Sequence, residues 1–164
     1  MLGGFAVGKT SLAGRFINNH FSDVYRTTLG VKIDKKNVRI GLRELTLIVW
    51  DVQGDDHEQR LVPAYLRGMA GYLLVVDPTR PHTIKTALEL RDYATGLVGP
   101  KPFVLVMNKA DLRDAWSTDS DLLDRLTATA VDVIETSAKT GMGVDDGFEA
   151  LAKSLVSPMA GQPS

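Results

Sequence analysis

Short apolar runs alternate along the chain with segments of helical spacing. Four of these runs are dominated by Val, Ile and Leu, at 45–51, 72–77, 103–108 and 131–137. Continuous apolar strands are typical of a parallel sheet that helices cover on both faces. The segment 31–40 is more polar, so we predict an edge strand there. It would pair antiparallel with the next strand through a turn at 41–44.

Helical periodicity occupies much of the sequence between these strands. Apolar residues recur at spacings of three and four in residues 9–19, 84–96 and 144–156. Strands that alternate with helices indicate a doubly wound α/β fold. We therefore predict a three-layer domain with a mostly parallel six-stranded sheet, one antiparallel edge strand and helices on both faces. We assign this domain to residues 1–157 and a tail or linker to 158–164.

Almost no chain precedes the glycine-rich segment that begins at Gly3. Such a loop normally follows a buried central strand, and Met1 and Leu2 could supply only its last two residues. A sheet without that strand would leave two ladders unpaired in the core. We therefore expect the first strand to be largely missing from this sequence, either because residues precede Met1 or because of an unusual truncation.

Composition excludes several classes of function. Apolar residues make up 44% and charged residues 24%, as in ordinary globular proteins. A net charge of −1 gives no electrostatic reason to expect nucleic acid as a partner. The absence of cysteine excludes disulfides, thiolate metal sites and a cysteine nucleophile, and the segment SPMAGQPS offers no cysteine for prenylation. Without a membrane-length apolar run or a signal peptide, we expect a cytoplasmic protein with no membrane anchor of its own, as a monomer or a domain of a larger chain.

The segment GGFAVGKT contains Gly3-x4-Gly8-Lys9-Thr10, the pattern of a phosphate-binding P-loop. Its glycines let successive backbone N–H groups point at phosphate oxygens, and the following helix adds its positive end. Lys9 would supply charge to the β- and γ-phosphates, and the Thr10 hydroxyl would bind Mg²⁺. The phosphate contacts are assigned to the whole segment: Gly3, Gly4, Phe5, Ala6, Val7, Gly8, Lys9, Thr10 and Ser11.

The tetrapeptides NKAD (108–111) and TSAK (136–139) each follow a predicted buried strand, where ligands bind in doubly wound sheets. An aspartate can accept two hydrogen bonds from guanine, whereas adenine offers no such pair of donors. Asp111 would therefore select guanine, and the backbone N–H of Ala138 could donate to the guanine oxygen. The residues assigned to the base are Asn108, Lys109, Asp111, Ser137, Ala138 and Lys139.

The segment WDVQG supplies Asp51 and Gly54 at the end of the 45–51 strand. Asp51 is placed to hold Mg²⁺ through water. Gly54 can bring its N–H to a γ-phosphate because no side chain blocks the approach. Trp50, beside them, is interpreted as core packing, and Trp116, in a polar loop, as a surface residue.

With these motifs in order over 3–139, the chain resembles a small GTPase of the Ras superfamily, nearest in pattern to the Rab branch. FSDVYRTTLGV resembles switch I, IVWDVQG resembles the lead into switch II, and YLRGMAGYLLVVD resembles a Rab segment. The resemblance implies that Phe21 packs against guanine, Tyr25 lies over the phosphates, and Thr28 binds Mg²⁺ and senses the γ-phosphate. The implied metal ligands are Thr10, Thr28 and Asp51.

The resemblance implies a switch that binds GTP or GDP with Mg²⁺ and hydrolyses GTP. Effectors, an exchange factor and an activating protein would bind through the switch regions. The implied catalytic residues are Lys9, Thr28, Gly54 and Asp55. A P-loop small-molecule kinase is disfavoured because it would not need the guanine-binding pair of Asn108 and Asp111, and because the sequence has no insertion large enough to be a lid.

Two departures from the family pattern concern hydrolysis. Asp55 stands where the family usually carries the glutamine that orients the attacking water, and its carboxylate only accepts hydrogen bonds. Phe5 stands where Ras carries glycine, and its ring would obstruct an arginine finger. Gln53 and His57 are interpreted as exposed residues. We predict slow GTP hydrolysis, with a non-hydrolysing GTP-binding module or a structural domain of a larger protein as the alternative.

Overall fold

The computed structural model describes residues 1–24, 30–52 and 61–157. Within these ranges lie six strands: β1 Leu2–Gly3, β2 Val31–Ile40, β3 Arg43–Val52, β4 Tyr72–Val76, β5 Phe103–Met107 and β6 Asp132–Glu135. The same residues form four α-helices: α1 Lys9–Asn18, α2 His82–Val98, α3 Ser120–Thr127 and α4 Val144–Val156. Short 3-10 segments lie at Pro63–Tyr65 and Ala110–Ala115.

The strands form a four-stranded parallel sheet in the order β1-β4-β5-β6 and an antiparallel pair, β2 and β3. This arrangement confirms the predicted α/β class and its mostly parallel strands. β1 contributes only two residues, Leu2 and Gly3, which pair with Leu74 and Val75. The Met1 nitrogen donates to the Trp50 carbonyl at 2.6 Å, which joins the start of β1 to β3. A cavity of about 410 Å³ is lined by Met1 and Leu2, by residues of β3 and by Tyr72 and Leu73 of β4.

Each face of the parallel sheet packs against two helices because its strands are apolar on both sides. On β4, Leu74 and Val76 face the helices α2 and α3, whereas Leu73 and Val75 face α1 and α4. Phe16 and Phe148 tie α1 to α4, with ring centroids 3.8 Å apart in a stacked arrangement. The three layers therefore hold the carboxyl ends of the parallel strands in a fixed arrangement.

The interpretation of Trp50 as a core residue was wrong. Its side chain is 38% exposed, although Val49 and Asp51 on either side are buried. Successive side chains of a strand point to opposite faces, so Trp50 lies on the side of β3 opposite Asp51, with the exposed Ile48. Trp50 lies opposite Ile33 on β2, which is also exposed.

Within the described parts of the chain, every helix falls short of the length and apolar character required to span a lipid bilayer.

Candidate functional site

The candidate site lies where the parallel strands end. The P-loop follows β1, and Asp77, Asn108 and Thr136 follow the strands β4, β5 and β6. Because these strands are parallel, their carboxyl ends meet at one edge of the sheet. Segments more than 130 residues apart in the chain, such as Gly3 and Thr136, therefore belong to one site.

The P-loop approaches its neighbours so closely that side chains are excluded at two glycines. A Cβ on Gly8 would lie 2.2 Å from the Asn108 side-chain nitrogen, and the φ of Gly8 is 102°. A Cβ on Gly3 would lie 2.5 Å from the Val75 carbonyl oxygen. The buried Lys9 spans the loop, and its Nζ donates to the carbonyls of Gly3 and Gly4, each at 3.0 Å.

Asn108 connects the segments. Its Nδ2 donates to the Val7 carbonyl at 3.0 Å, and its Oδ1 accepts from the Thr136 hydroxyl at 3.0 Å. The backbone N–H of Ala138, predicted to donate to a base, donates to the same Oδ1 at 3.3 Å. One buried amide thus holds the P-loop, the NKAD segment and the TSAK segment together.

The side chain of Asp111 is oriented by a hydrogen bond from the Ser137 hydroxyl at 2.6 Å. An ionised carboxylate has about four acceptor positions, so it can accept this bond and still accept a pair from a ligand. Ser137 therefore positions the carboxylate that was predicted to select guanine.

Arg15 on α1 supports the TSAK loop. Its Nε donates to the Ala138 carbonyl at 2.9 Å, and its NH2 donates to the Lys139 carbonyl at 2.6 Å. Sequence reasoning missed this residue because 123 positions separate it from the loop and no spacing rule connects them.

Trp116 was interpreted as a surface residue, and this was wrong. Its indole is half-buried against the core, and its Nε1 donates to the Lys109 carbonyl at 3.1 Å. The guanidinium of Arg113 lies 4.4 Å above the indole ring and also pairs with Glu135. Lys109 adopts a left-handed backbone conformation, with φ 67°, so this contact holds a strained residue of the NKAD segment.

Thr10 and Asp51 form the candidate metal site. The Thr10 hydroxyl donates to Asp51 Oδ2 at 2.6 Å. Asp51 Oδ1 is buried and accepts no hydrogen bond from the described residues. Burial raises the pKa of Asp51 above 3.8, although the Thr10 hydrogen bond and the Lys9 charge oppose the rise. A buried carboxylate oxygen that lacks a partner, beside a hydroxyl, is a donor set that suits Mg²⁺.

Asp77 is fully buried, and its carboxylate is the centre of a cluster of ion pairs and hydrogen bonds that sequence reasoning missed. Its carboxylate pairs with Lys109 Nζ at 2.6 Å and with Arg80 Nε at 2.9 Å. The Thr79 hydroxyl also donates to it, at 2.6 Å. Burial raises the pKa of Asp77, but the hydrogen bonds from Lys109, Thr79 and Arg80 outweigh that effect, so the net shift is downward.

Several predicted site residues lie outside the described parts of the chain: Tyr25, Thr28, Gln53, Gly54, Asp55, His57 and the tail 158–164. Phe21 is half-buried and packs against the core between the sheet and the helices α1 and α4. Phe5 is 38% exposed. Ser11 lies in the first turn of α1, directly after Thr10.

Comparison with known proteins agrees with the geometry. A family model described as "Ras family" matches residues 1–157. The Ras-related protein Rab7 of Drosophila melanogaster is 34% identical over 163 residues, which cover 95% of this chain and 78% of that protein. RABG3f of Arabidopsis thaliana is 32% identical, with coverage of 93% and 79%. Rab-25 of Canis lupus familiaris is 31% identical, with coverage of 99% and 77%.

Proposed function

Because the chain belongs to the Ras family, as a Rab-like small GTPase, we propose that it is a guanine-nucleotide switch that binds GTP and GDP with Mg²⁺. The observation that carries the proposal is the convergence of three motifs on Asn108. Its side chain contacts the P-loop at Val7 and the TSAK segment at Thr136 and Ala138. A phosphate loop and a base loop joined in this way are suited to one nucleotide.

The phosphates would be held by backbone N–H groups over residues 3–11. The φ values of Ala6 and Gly8, 56° and 102°, belong to the left-handed region. Successive turns of this kind form a concave nest of N–H donors that suits an anion. Lys9 Nζ, held by the Gly3 and Gly4 carbonyls, is buried in the same loop and would supply the positive charge.

Guanine would be selected by Asp111, with Lys109 and Lys139 beside the base and Phe21 packed against it. The carboxylate would accept from the guanine ring N–H and from its exocyclic amine, while Ser137 keeps it in place. Adenine lacks this pair of donors, so ATP would bind far more weakly.

Mg²⁺ would be held by Thr10, by Asp51 through water, and by Thr28. The ion would neutralise charge on the β- and γ-phosphates. Binding of the ion would also give Asp51 Oδ1 a partner, directly or through water, and so remove the cost of burying that oxygen.

Slow hydrolysis remains part of the proposal. Lys9, Thr28 and the N–H of Gly54 would stabilise charge on the transferred phosphate. Asp55 would bring a negative charge near that phosphate and could not donate a hydrogen bond to it. The partly exposed ring of Phe5 on the P-loop would obstruct a trans-acting arginine. The same two residues support the second candidate function, a GTP-binding module that does not hydrolyse.

Partners would bind the surface between the two switch segments. Ile33, Ile48 and Trp50 are exposed there on β2 and β3. Large apolar side chains exposed together mark an interaction site more often than a solvated face. Effectors, an exchange factor and an activating protein would therefore meet the β2–β3 pair as well as the switches.

Nucleotide selection is tested by Asp111→Asn. An amide in place of one carboxylate oxygen matches xanthine, which carries a carbonyl where guanine carries its amine. We expect the variant to lose at least about 100-fold in GDP affinity, the order of a lost charge-assisted pair, and to gain affinity for xanthosine diphosphate. Competition against fluorescent GDP measures both. Equal binding of ATP and GDP by the wild type, or an unchanged preference in the variant, would contradict the assignment.

A further inference from the structure

We propose that Arg80 is a positioning residue of the phosphate loop, which acts through the carbonyl of Phe5 on the peptide group before Ala6. The proposal rests on the proposed nucleotide-binding function. Arg80 follows β4 and is 75 residues away from Phe5 in sequence.

The guanidinium of Arg80 is fixed at two points. Its NH2 donates to the Phe5 carbonyl at 3.0 Å, and its Nε donates to the carboxylate of Asp77 at 2.9 Å. The Thr79 backbone N–H and hydroxyl donate to the other carboxylate oxygen, at 3.0 and 2.6 Å. The carboxylate, buried completely and ionised because its pKa is lowered, therefore holds the arginine in one orientation.

The backbone that carries Arg80 is also rigid. The buried hydroxyl of Thr83 lies 3.0 Å from the Asp77 nitrogen and 2.9 Å from the Arg80 carbonyl oxygen. The Arg80 N–H donates to the Asp77 carbonyl at 2.9 Å, which closes a turn, and Pro81 restricts the conformation of the residue before it. The arginine therefore projects from a fixed turn.

A second cation acts on the next carbonyl of the loop. Lys109 Nζ lies 2.6 Å from the Asp77 carboxylate and 3.3 Å from the Ala6 carbonyl oxygen. Consecutive carbonyls, those of Phe5 and Ala6, thus each accept from a cation that the same buried carboxylate anchors. We call Arg80, Lys109 and Asp77 the loop clamp.

The residue between these two carbonyls needs such support. Ala6 has φ 56°, in the left-handed region that is strained for a residue with a Cβ. The structure keeps this conformation without glycine at the position. Two charge-assisted hydrogen bonds, one on each side of Ala6, oppose its relaxation.

The clamp also affects the donor that faces the ligand. In a trans peptide the C=O and the N–H point in opposite directions. Because Arg80 donates to the Phe5 oxygen, the Ala6 N–H of the same peptide points away from the guanidinium, and the proposed phosphate would lie on that side. A charge-assisted bond to the oxygen polarises the peptide and strengthens its N–H as a donor. Arg80 therefore acts on the phosphate without touching it.

The test compares Arg80→Ala, Arg80→Lys and Arg80→Gln with the wild type. Arg91→Ala is the matched control, since Arg91 also donates to a backbone carbonyl, that of Arg125, away from the loop. We expect Arg80→Ala to speed GDP dissociation about ten-fold, as for loss of a charge-assisted hydrogen bond. Arg80→Lys should recover part of the loss and Arg80→Gln less, while Arg91→Ala should stay within about two-fold.

Binding of guanosine monophosphate distinguishes a positioning role of Arg80 from a general loss of rigidity in the fold. The monophosphate lacks the β-phosphate that the loop would hold, so Arg80→Ala should weaken GDP binding several-fold more than monophosphate binding. Ala6→Gly removes the strain, and in that background Arg80→Ala should have a smaller effect on GDP dissociation. If Arg80→Ala does not fold, the lysine and glutamine variants carry the comparison.

A GDP dissociation rate unchanged by Arg80→Ala would overturn the inference, as would equal weakening of GDP and monophosphate. Either result leaves the proposed function standing, provided the wild type binds GDP. Wild-type protein that does not bind GDP would refute the proposed function itself, so the two failures are distinguishable.

Discussion

Asp51→Asn tests whether the buried carboxylate beside Thr10 is a metal site. In the wild type without Mg²⁺, one carboxylate oxygen is buried with no hydrogen bond from the described residues. Leaving such a group unpaired costs about 1–3 kcal/mol. The asparagine variant keeps the acceptor for the Thr10 hydroxyl and removes the charge, but its NH2 then takes the unpartnered position. We therefore expect the free energy of unfolding to rise by only about 1 kcal/mol. For a domain of this size, that change raises the Tm by about 2–4 °C.

The sign of the pH dependence follows from the raised pKa of Asp51. The folded state holds the proton more tightly than the unfolded state, so protein without Mg²⁺ loses stability as pH rises from about 3.8 through the folded-state pKa. Asp51→Asn should lack that loss. In the GDP-bound protein, Mg²⁺ should raise the Tm of the wild type by more than it raises that of the variant, in which Thr10 and the phosphates would still hold the ion.

Thermal unfolding by circular dichroism measures both effects, nucleotide-free in chelator and GDP-bound with and without Mg²⁺. Asp77→Asn is the control, and it should lower the stability instead of raising it. Lys109 and Arg80 lower the pKa of Asp77, and in the variant these two cations would lose the carboxylate that they pair with. Both partners are about one-third exposed, so we expect a loss of about 2 kcal/mol, less than for a fully buried pair. The reasoning on Asp51 fails if Asp51→Asn is destabilised without Mg²⁺, or if Mg²⁺ still stabilises it as it does the wild type.

Two further predictions concern the base loop and hydrolysis. Trp116→Phe keeps a ring but loses the indole N–H that donates to the Lys109 carbonyl. Loss of this hydrogen bond, worth about 1 kcal/mol, should make GDP dissociate several-fold faster in a fluorescent release assay. An unchanged dissociation rate would show that this hydrogen bond does not support the site. Asp55→Gln alone should raise the single-turnover GTP hydrolysis rate, measured with a GTPase-activating protein present, by less than about ten-fold, below the usual effect of a positioned catalytic group, because Phe5 still obstructs the arginine finger. Activation by a GTPase-activating protein should return only when Phe5→Gly is added, and full activation of the single variant would show that Phe5 is no obstacle.

Much of the fold followed from local patterns. The runs at 72–77 and 103–108 are apolar throughout, and the structure has β4 and β5 there because both faces of those strands are covered. β1 has the two residues expected of a short first strand, but they are Leu2 and Gly3 rather than the predicted Met1 and Leu2. Trp50 was misplaced because the 45–51 run was expected to be buried on both faces, whereas the structure exposes the side of β3 that carries Ile48 and Trp50.

The candidate site was predictable only where spacing determines the chemistry. The glycine and lysine positions of the P-loop define a backbone shape, and the structure brings that loop to Asn108. Arg15, Arg80 and Trp116 could not be found in this way. Each donates to a backbone carbonyl of the site through a long side chain. Other polar residues could make the same kind of contact from many positions in the sequence, so no fixed spacing identifies these three. Such contacts depend on the packed fold, which the sequence pattern does not specify at that resolution.

The most direct test of the central claim is the nucleotide content and turnover of the purified protein. The protein is loaded with GTP that carries a labelled γ-phosphate, freed of unbound nucleotide, and followed for bound nucleotide and released phosphate in one time course. We predict one guanine nucleotide per chain, retained in Mg²⁺, with phosphate released slowly or not at all. Failure to retain GTP, equal retention of ATP, or release as fast as in a glutamine-bearing Rab would contradict this account.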